Sequence, residues 1–586
     1  MIKPTCFIDP LDMPLGRRGS YLCFANANDG ESQFGKSTLY LSTCRGGGSG
    51  MANLGTPNSC RAIRIELTKG GVPLPAVIST SPGEAILESE YGGARFCLAE
   101  RKLVLCRAGD GLGLSLTLPP AFLLEPIQLP GGAWRFPFAE GTGLLQALRG
   151  DLIRSPGGFF VAPDHNGEIL LAVEECGPDP EPRSAEAYPD YDAAVSELMS
   201  EFETFCQAVC PRLPEEFEPR RRQALYTTWS MMVDPEPGVL YPRTMVKMMR
   251  FIFESAFSWQ QAMQAICLSK APRLAWDVLM SCFDLQDETG RIADAVSHRS
   301  YLVASMKPPF QGAALRWLLK NADLRGISRE EKHALYLCMG RWTDYLFRFR
   351  DLDGDGLWEN LSPLETGWED ASYFSAGFPL ASPDANAYTV VMMDALAELG
   401  RSIGESEEEC RTWSARADEL TEQIIRKFWT GDRWVAVNTV TGTLGETPSL
   451  PLYATLILGK RLPRDIRDKT ISFIMGEGGF STPYGFASEN LHSPYFRHGF
   501  TAGSVIVPAQ MILCLALEEA GRPELAREMG LKYARTLRDN GMFHIHNALD
   551  GRGERSLVAF GERQLFWSSW ASSAYLFLAD RYGNRE

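Results

Sequence analysis

The period of the apolar residues changes once along this chain, and that change sets what it can fold into. Up to about residue 180 they come in short runs between glycine and proline turns, such as 39–43, 62–67 and 169–173. In the second run Ile63, Ile65 and Leu67 alternate with Arg64 and Glu66, the pattern of a strand with one face buried. Then comes Gly177-Pro178-Asp179-Pro180-Glu181-Pro182, which neither a strand ladder nor a helix interior accommodates. Beyond it apolar residues recur at helical spacing in 193–209, 222–232, 272–283, 330–349, 385–400, 407–428, 505–520 and 524–537, and each is expected to be a helix.

Two domains are therefore expected. Residues 1–180 read as an all-β sandwich, 181–214 as a linker with a linker helix, and 215–586 as an all-α domain. Short strands at near-regular spacing suit a sandwich. About a dozen helices suit an even ring of helix pairs, an (α/α)6 barrel. The glycine-rich stretch Gly46 to Gly50 has no strand-to-helix context and reads as a loop, not a phosphate cradle.

At 586 residues the chain can bury large cores without disulfides or a structural metal. A formal charge of −15 speaks against nucleic acid and anionic membrane as partners. No segment reaches the roughly 18 apolar residues of a membrane span. The N-terminal residues Met1 to Asp9 carry no signal-sequence pattern, and the 14 cysteines are scattered with no CxxC pair. These features point to the cytoplasm.

The densest polar-aromatic stretch begins Asp351-Leu352-Asp353-Gly354-Asp355-Gly356 and continues to Glu365-Thr366-Gly367-Trp368-Glu369-Asp370. The first part imitates the start of an EF-hand loop, but Ser362 stands where that loop needs its twelfth-position glutamate. No metal is expected there, and no cofactor elsewhere. The second part gathers three carboxylates around an indole, a setting that raises a carboxyl pKa for general-acid work. Twelve of the 13 tryptophans lie between Trp229 and Trp570. Most should be core, and those in polar motifs are candidates to stack on a sugar.

Glu365–Asp370 resembles the E-S-G-x-D-[DN]-S segment of trehalases, processing α-glucosidases and mannosylglycerate hydrolases (glycoside hydrolase families 37 and 63). Six further segments resemble that group's motifs in its order. They are Ser258-Trp259-Gln260-Gln261, Lys307-Pro308-Pro309, Ser382 to Tyr388 with Asn386, and Tyr484 to Tyr495 with Glu489. Then come Gly499 to Pro508 with Thr501, and the tail, Gly551 followed by Trp570-Ala571 and Tyr575-Leu576. The resemblance covers residues 215–580 or so and implies the six-hairpin barrel.

It further implies an inverting glycosidase acting on a small glycoside or oligosaccharide. One carboxylic acid protonates the glycosidic oxygen while a base activates water on the opposite face. The family's acid falls on Glu369, with Asp370 adjacent and available for the role if the loop shifts. The family's base, a glutamate, falls on His544. Glu562 and Glu489 are replacement candidates, with Glu562 preferred. Expected substrate contacts are Trp259, Gln260, Glu365, Trp368, Asn386, Glu489, Thr501, His546 and Trp570. The family's W-D has become Trp259-Gln260 and its W-R-G-P has become Thr501 to Ser504, so its sugar specificity does not carry over. His544, Thr501, Gly503 and Ser504 are also phosphate-binding residue types, which keeps an inverting phosphorylase open. The lost residues keep open a non-catalytic carbohydrate-binding protein.

Overall fold

The computed structural model describes residues 6–26, 38–45, 62–118, 125–138, 141–177, 179–251, 253–476, 479–557 and 563–584. The expected Gly46–Gly50 loop lies outside the described residues. Two compact units are present. One comprises Met1–Gln207, Leu225–Asp234 and Met249–Glu254; the other comprises Ala208–Ala224, Pro235–Met248 and Ser255–Glu586.

The first unit holds two antiparallel eight-stranded sheets. One runs Leu15–Gly16, Leu22–Asn26, Leu39–Thr43, Ala62–Lys69, Leu112–Thr117, Gly158–Ala162 and Asp151–Ser155, with Val72–Pro73 paired to the fourth strand. The other runs Ile127–Gln128, Trp134–Phe138, Gly141–Arg149, Ile169–Cys176, Leu103–Ala108, Gly92–Glu100, Ala85–Ser89 and Val77–Thr80. Their apolar faces share one core, with Leu41, Ile65 and Leu114 from the first sheet and Phe96, Leu145 and Leu171 from the second. The alternation read from the sequence decides which face is inside: Ile63, Ile65 and Leu67 are buried while Arg64 and Glu66 are half-buried. Helix α1 (Tyr191–Val209) starts against the second sheet's other face, where Tyr191 and Ala194 meet Cys97, Leu103 and Ala172.

After α2 (Glu218–Ser230) the chain forms eleven further helices among the described residues. These are α3 (Ser258–Cys267), α4 (Pro272–Met280), α5 (Gln311–Asn321), α6 (Arg329–Arg350), α7 (Pro383–Ile403) and α8 (Glu407–Phe428). They continue with α9 (Leu450–Tyr453, running into the 3-10 segment Ala454–Arg461), α10 (Arg464–Met475), α11 (Val507–Glu519), α12 (Pro523–Asn540) and α13 (Ser569–Gly583). The packing forms a closed circuit. Helix α3 packs on α5, α5 on α7, α7 on Ala454–Arg461, that segment on α11, α11 on α13, and α13 on α3. These circuit helices are buried on nearly every side, except α5, which buries one face. Helices α4, α6, α8, α10 and α12 pack on them and are amphipathic, with polar outer faces.

Capping places several boundaries. Ser328 and Glu331 form a capping box on α6, Ser406 caps α8, and left-handed Gly404 ends α7, each satisfying helix-end backbone groups. The stretches between the packing helices and the next circuit helix carry short strand pairs, such as Glu359–Asn360 with Leu380–Ala381 and Val505–Ile506 with Ile545–His546. No helix among the described residues is long and apolar enough to cross a membrane.

Candidate active site

The motif residues sit in those connecting stretches, at the N-terminal ends of the circuit helices, all within the second unit. The turn Glu365–Asp370 is fixed from beneath. Glu365 is buried and accepts two bonds from Arg350, at 2.9 and 2.7 Å, and one from the Leu361 amide at 2.6 Å. Its carboxylate is thereby spent on the scaffold. Gly367 has φ +72° and lies so close to Trp259 that a Cβ would come within 2.5 Å of the ring. Only glycine meets both conditions.

Beyond that glycine the turn presents Trp368, Glu369 and Asp370. Trp368 is fully buried and meets Trp259 edge-on at 6.5 Å. Trp259 meets Trp570 edge-on at 5.3 Å, and His544 stacks on Trp570 at 5.4 Å. Four aromatic side chains from four distant stretches of sequence thus form one string.

Glu369 and Asp370 are both partly exposed and have different surroundings. The Lys307 ammonium lies 3.0 Å from Glu369 Oε1 and 4.0 Å from Asp294 Oδ2, and it also donates to the Leu364 carbonyl. Burial pulls the Lys307 pKa down, but Asp294 and Glu369 outweigh it and the net shift is upward. Asp294 is itself pushed up by burial, against Lys307 and the 2.5 Å bond from Ser305. Asp370 is also pushed up, mainly by burial, while Thr501 and Arg497 oppose the shift. Thr501 donates to Asp370 Oδ1 and accepts the Asp370 amide at 3.1 Å. Arg497 donates to the Asp370 carbonyl at 3.3 Å.

Glu489 is fully buried and accepts the Ser372 amide at 3.4 Å, two residues beyond Asp370. It therefore lies on the acid turn's own side of the site. Burial lifts it to about 7. At the far end of the aromatic string, burial and then His546 lower His544 to about 3, so the ring is neutral near neutral pH. Five buried polar atoms in this group have no protein hydrogen-bond partner: Trp368 Nε1, Trp570 Nε1, His544 Nδ1, Glu489 Oε1 and Asp294 Oδ1.

Other candidate residues have partners within the protein. Gln260 is fully buried; it bonds the Val246 carbonyl, Ser569 and the Phe257 amide. Asn386 bonds the Trp358 amide and carbonyl and the Ser382 carbonyl. The buried His546 contacts the Gly541 carbonyl at 3.1 Å. Thr501 is held by Asp370, Gly503 donates to Ser488, and Ser504 accepts from Gly499, so these three are engaged with protein groups. Glu562 lies outside the described residues. Reading residue types passes over Asp294 and Arg497. Lys307 is visible only as the first residue of K-P-P, and nothing in that motif marks it as a partner of Glu369.

Carboxyl groups in dissimilar surroundings beside buried indoles, on a closed circuit of helices, suit a glycoside hydrolase, and the family match gives that class. The chain belongs to the mannosylglycerate hydrolase MGH1-like glycoside hydrolase family, whose profile matches residues 254–568. This agrees with the resemblance carried by the motifs. The glycoside hydrolase family 63 mannosylglycerate hydrolase of Thermus thermophilus, solved with Tris and D-glycerate, is 16% identical. The match covers 61% of this chain and 99% of that one, at a TM-score of 0.51. A bacterial glucoamylase solved with acarbose is 11% identical over 100% of this chain and 97% of that one, at 0.59. At these identities the likeness is one of fold. No curated protein matches the chain.

Proposed function

We propose that this glycosidase is an inverting hydrolase of a small glycoside or oligosaccharide, built as a β-sandwich followed by an (α/α)6 barrel. The closed helix circuit and the two facing sheets support that architecture. The observation that carries the mechanism is the turn fixed by Gly367 and Arg350, which holds two carboxyl groups side by side at the end of an indole string. Glu369 occupies the family's acid position and serves as the general acid. Asp370, raised by burial, is the neighbour that takes the role if Glu369 stays bound to Lys307. Glu369 and Asp370 are the partly exposed groups of the turn, able to meet sugar hydroxyls, which donate and accept hydrogen bonds.

The water-activating group belongs across the sugar from the acid. His544 sits at the other end of the string and takes that role unless Glu562 does. A ring with a pKa of about 3 is about as basic as a carboxylate, the family's usual base. Hydrolysis is favoured over phosphorolysis because Thr501, Gly503 and Ser504 bond to the protein. The substrate is a small carbohydrate, and the cytoplasm is the proposed location.

The test is product analysis on a glycoside panel with and without phosphate, following the anomer released, in wild type, His544→Ala and Glu562→Gln. Free sugar of inverted configuration without phosphate supports the reading. A strict phosphate requirement or retained configuration overturns it. The variant that loses turnover identifies the base.

A further inference from the structure

Apolar side chains left in solvent are unevenly placed in the second unit. Among its described residues, every exposed large apolar side chain except Leu337 and Phe349 stands on a connecting stretch ahead of a circuit helix. Leu337 and Phe349 lie on α6. Single exposed apolar residues are ordinary, but their concentration around one site marks what binds there.

Several of them flank the acid turn. Leu361 and Leu364 stand on the approach to it. The Leu361 amide donates to Glu365 at 2.6 Å, and the Leu364 carbonyl accepts from Lys307, the partner of Glu369. Tyr301 and Val303 come from the stretch ahead of α5. Leu302, between them, accepts the Asp294 amide at 2.9 Å, and Asp294 faces Lys307. Tyr495 is two residues from Arg497, which donates to the Asp370 carbonyl. These side chains are 39% to 50% exposed. The polar side chains around them are committed within the protein: Lys307 holds Glu369, Ser305 donates to Asp294, and Thr501 donates to Asp370. Beyond the two carboxyl groups and Arg497, the acid's side therefore offers an arriving ligand mainly apolar surface.

The chemistry says which part of the substrate meets that surface. A general acid protonates the glycosidic oxygen, so the group carried by that oxygen, the aglycone, leaves from the acid's side. We propose that the aglycone is apolar, an alcohol with a hydrocarbon chain or ring seated against Leu361, Leu364 and Tyr301, and not a second sugar. This rests on the reading of the protein as an inverting hydrolase whose acid lies on the Glu365–Asp370 turn. Leucine and valine side chains cannot bond the hydroxyls of a sugar aglycone. A hydrocarbon gains by leaving water, each fully buried methylene being worth about fourfold in affinity.

The experiment measures kcat/KM for the methyl, butyl and octyl glycosides of the sugar and anomer that the glycoside panel identifies, below the concentrations at which they form micelles. The three alcohols are of similar acidity, so bond breaking is alike and the differences report the aglycone's surroundings. Octyl should exceed methyl by about tenfold or more, as burial of two or three methylenes gives. Leu361→Ser and Tyr301→Ser, both at exposed positions, should each lower the octyl-to-methyl ratio about threefold or more. Leu337→Ser, on α6, should leave it unchanged. A ratio near one in the wild type would overturn the proposal, and so would an unchanged ratio in both site variants. A flat series together with a dimer in sedimentation that Leu361→Ser dissociates would assign the surface to a second copy of the chain instead. A panel with no substrate at all overturns the hydrolase reading itself, which a flat series on a cleaved sugar leaves standing.

Discussion

Most buried carboxylates of the helical unit are treated differently from those of the β unit. In the β unit they are compensated by neighbours. Glu175 accepts from Thr43 at 2.6 Å and from Arg45 at 3.0 Å. Glu174 accepts from Tyr188 at 2.6 Å and pairs with Arg183 at 2.9 Å. The same Arg183 pulls the half-buried Glu100 below the usual carboxylate range. In the helical unit Arg350 compensates Glu365 in the same way, but at other positions burial wins, lifting Glu359 and Glu489 to about 7 and Asp384 to about 6, with Asp294 and Asp370 also raised. The first pattern is what stability alone produces. Of the raised carboxyls, Asp294, Asp370 and Glu489 lie in the candidate site, and perturbed carboxyls of this kind are what chemistry at neutral pH requires.

The largest expected effect separates the units by activity. Glu369→Gln should lower turnover by at least about 10²-fold, the low end for general acid–base catalysis. The β-unit control Glu175→Gln should leave kcat unchanged and lower only Tm. Steady-state kinetics on both variants check this. If Glu369→Gln keeps its turnover while Asp370→Asn loses it, the acid is Asp370.

Next is the pair that supports the turn. Arg350→Met leaves the buried Glu365 carboxylate uncompensated, an effect of about 3–5 kcal/mol for a broken buried pair. Denaturant unfolding should show a loss of that order. A change below about 1 kcal/mol would mean the turn relaxes and Glu365 finds other partners.

Glu489 sharpens the contrast through pH. Its folded pKa is raised from 4.5 to about 7, so the folded state binds its proton more tightly than the unfolded state does. Its contribution is therefore full below about pH 4.5 and lost as pH rises through about 7, at up to about 1.4 kcal/mol per pH unit. Glu489→Gln should flatten stability between those limits and be the more stable form at pH 8. Parallel Tm–pH curves for wild type and variant would contradict this origin of the shift.

The smallest effect lies on the β-unit surface. Arg149 and Glu168 form an exposed pair, and Arg149→Ala should change stability by less than about 1 kcal/mol. A larger loss by thermal unfolding would show that even exposed pairs in that unit bear weight.

Legibility in the sequence follows the same physics. The helices that their period reveals include α6, α8 and α12, whose outer faces are wet, and α8 is legible at both ends (Glu407–Phe428). Helices α3, α5, α9, α10 and α13 escape a reading by period. Helices α3 and α13 are buried almost all round and carry no polar stripe to set a phase, whereas the equally buried α7 and α11 show themselves by long apolar runs. The acid turn is legible because its glycine and carboxylates are local in sequence. Glu365, Gln260 and Asn386 also carry polar side chains within motifs, yet their partners Arg350, Ser569 and Trp358 are set by tertiary packing. Lys307 and Asp294 escape for that reason, being 62 and 75 residues before Glu369.

The connecting stretches ahead of the circuit helices have a consequence for engineering. Their ends are anchored by buried helices, while parts of them, such as Tyr495 and Leu549, stand in solvent. Libraries confined to 490–500 and 549–555 should therefore return mostly folded proteins with altered substrate range. The same number of random changes in Ser258–Cys267 or Ser569–Gly583 should return mostly insoluble chains. Diversity can enter this scaffold one stretch at a time, and lineages that did so would diverge in substrate range long before they diverged in backbone.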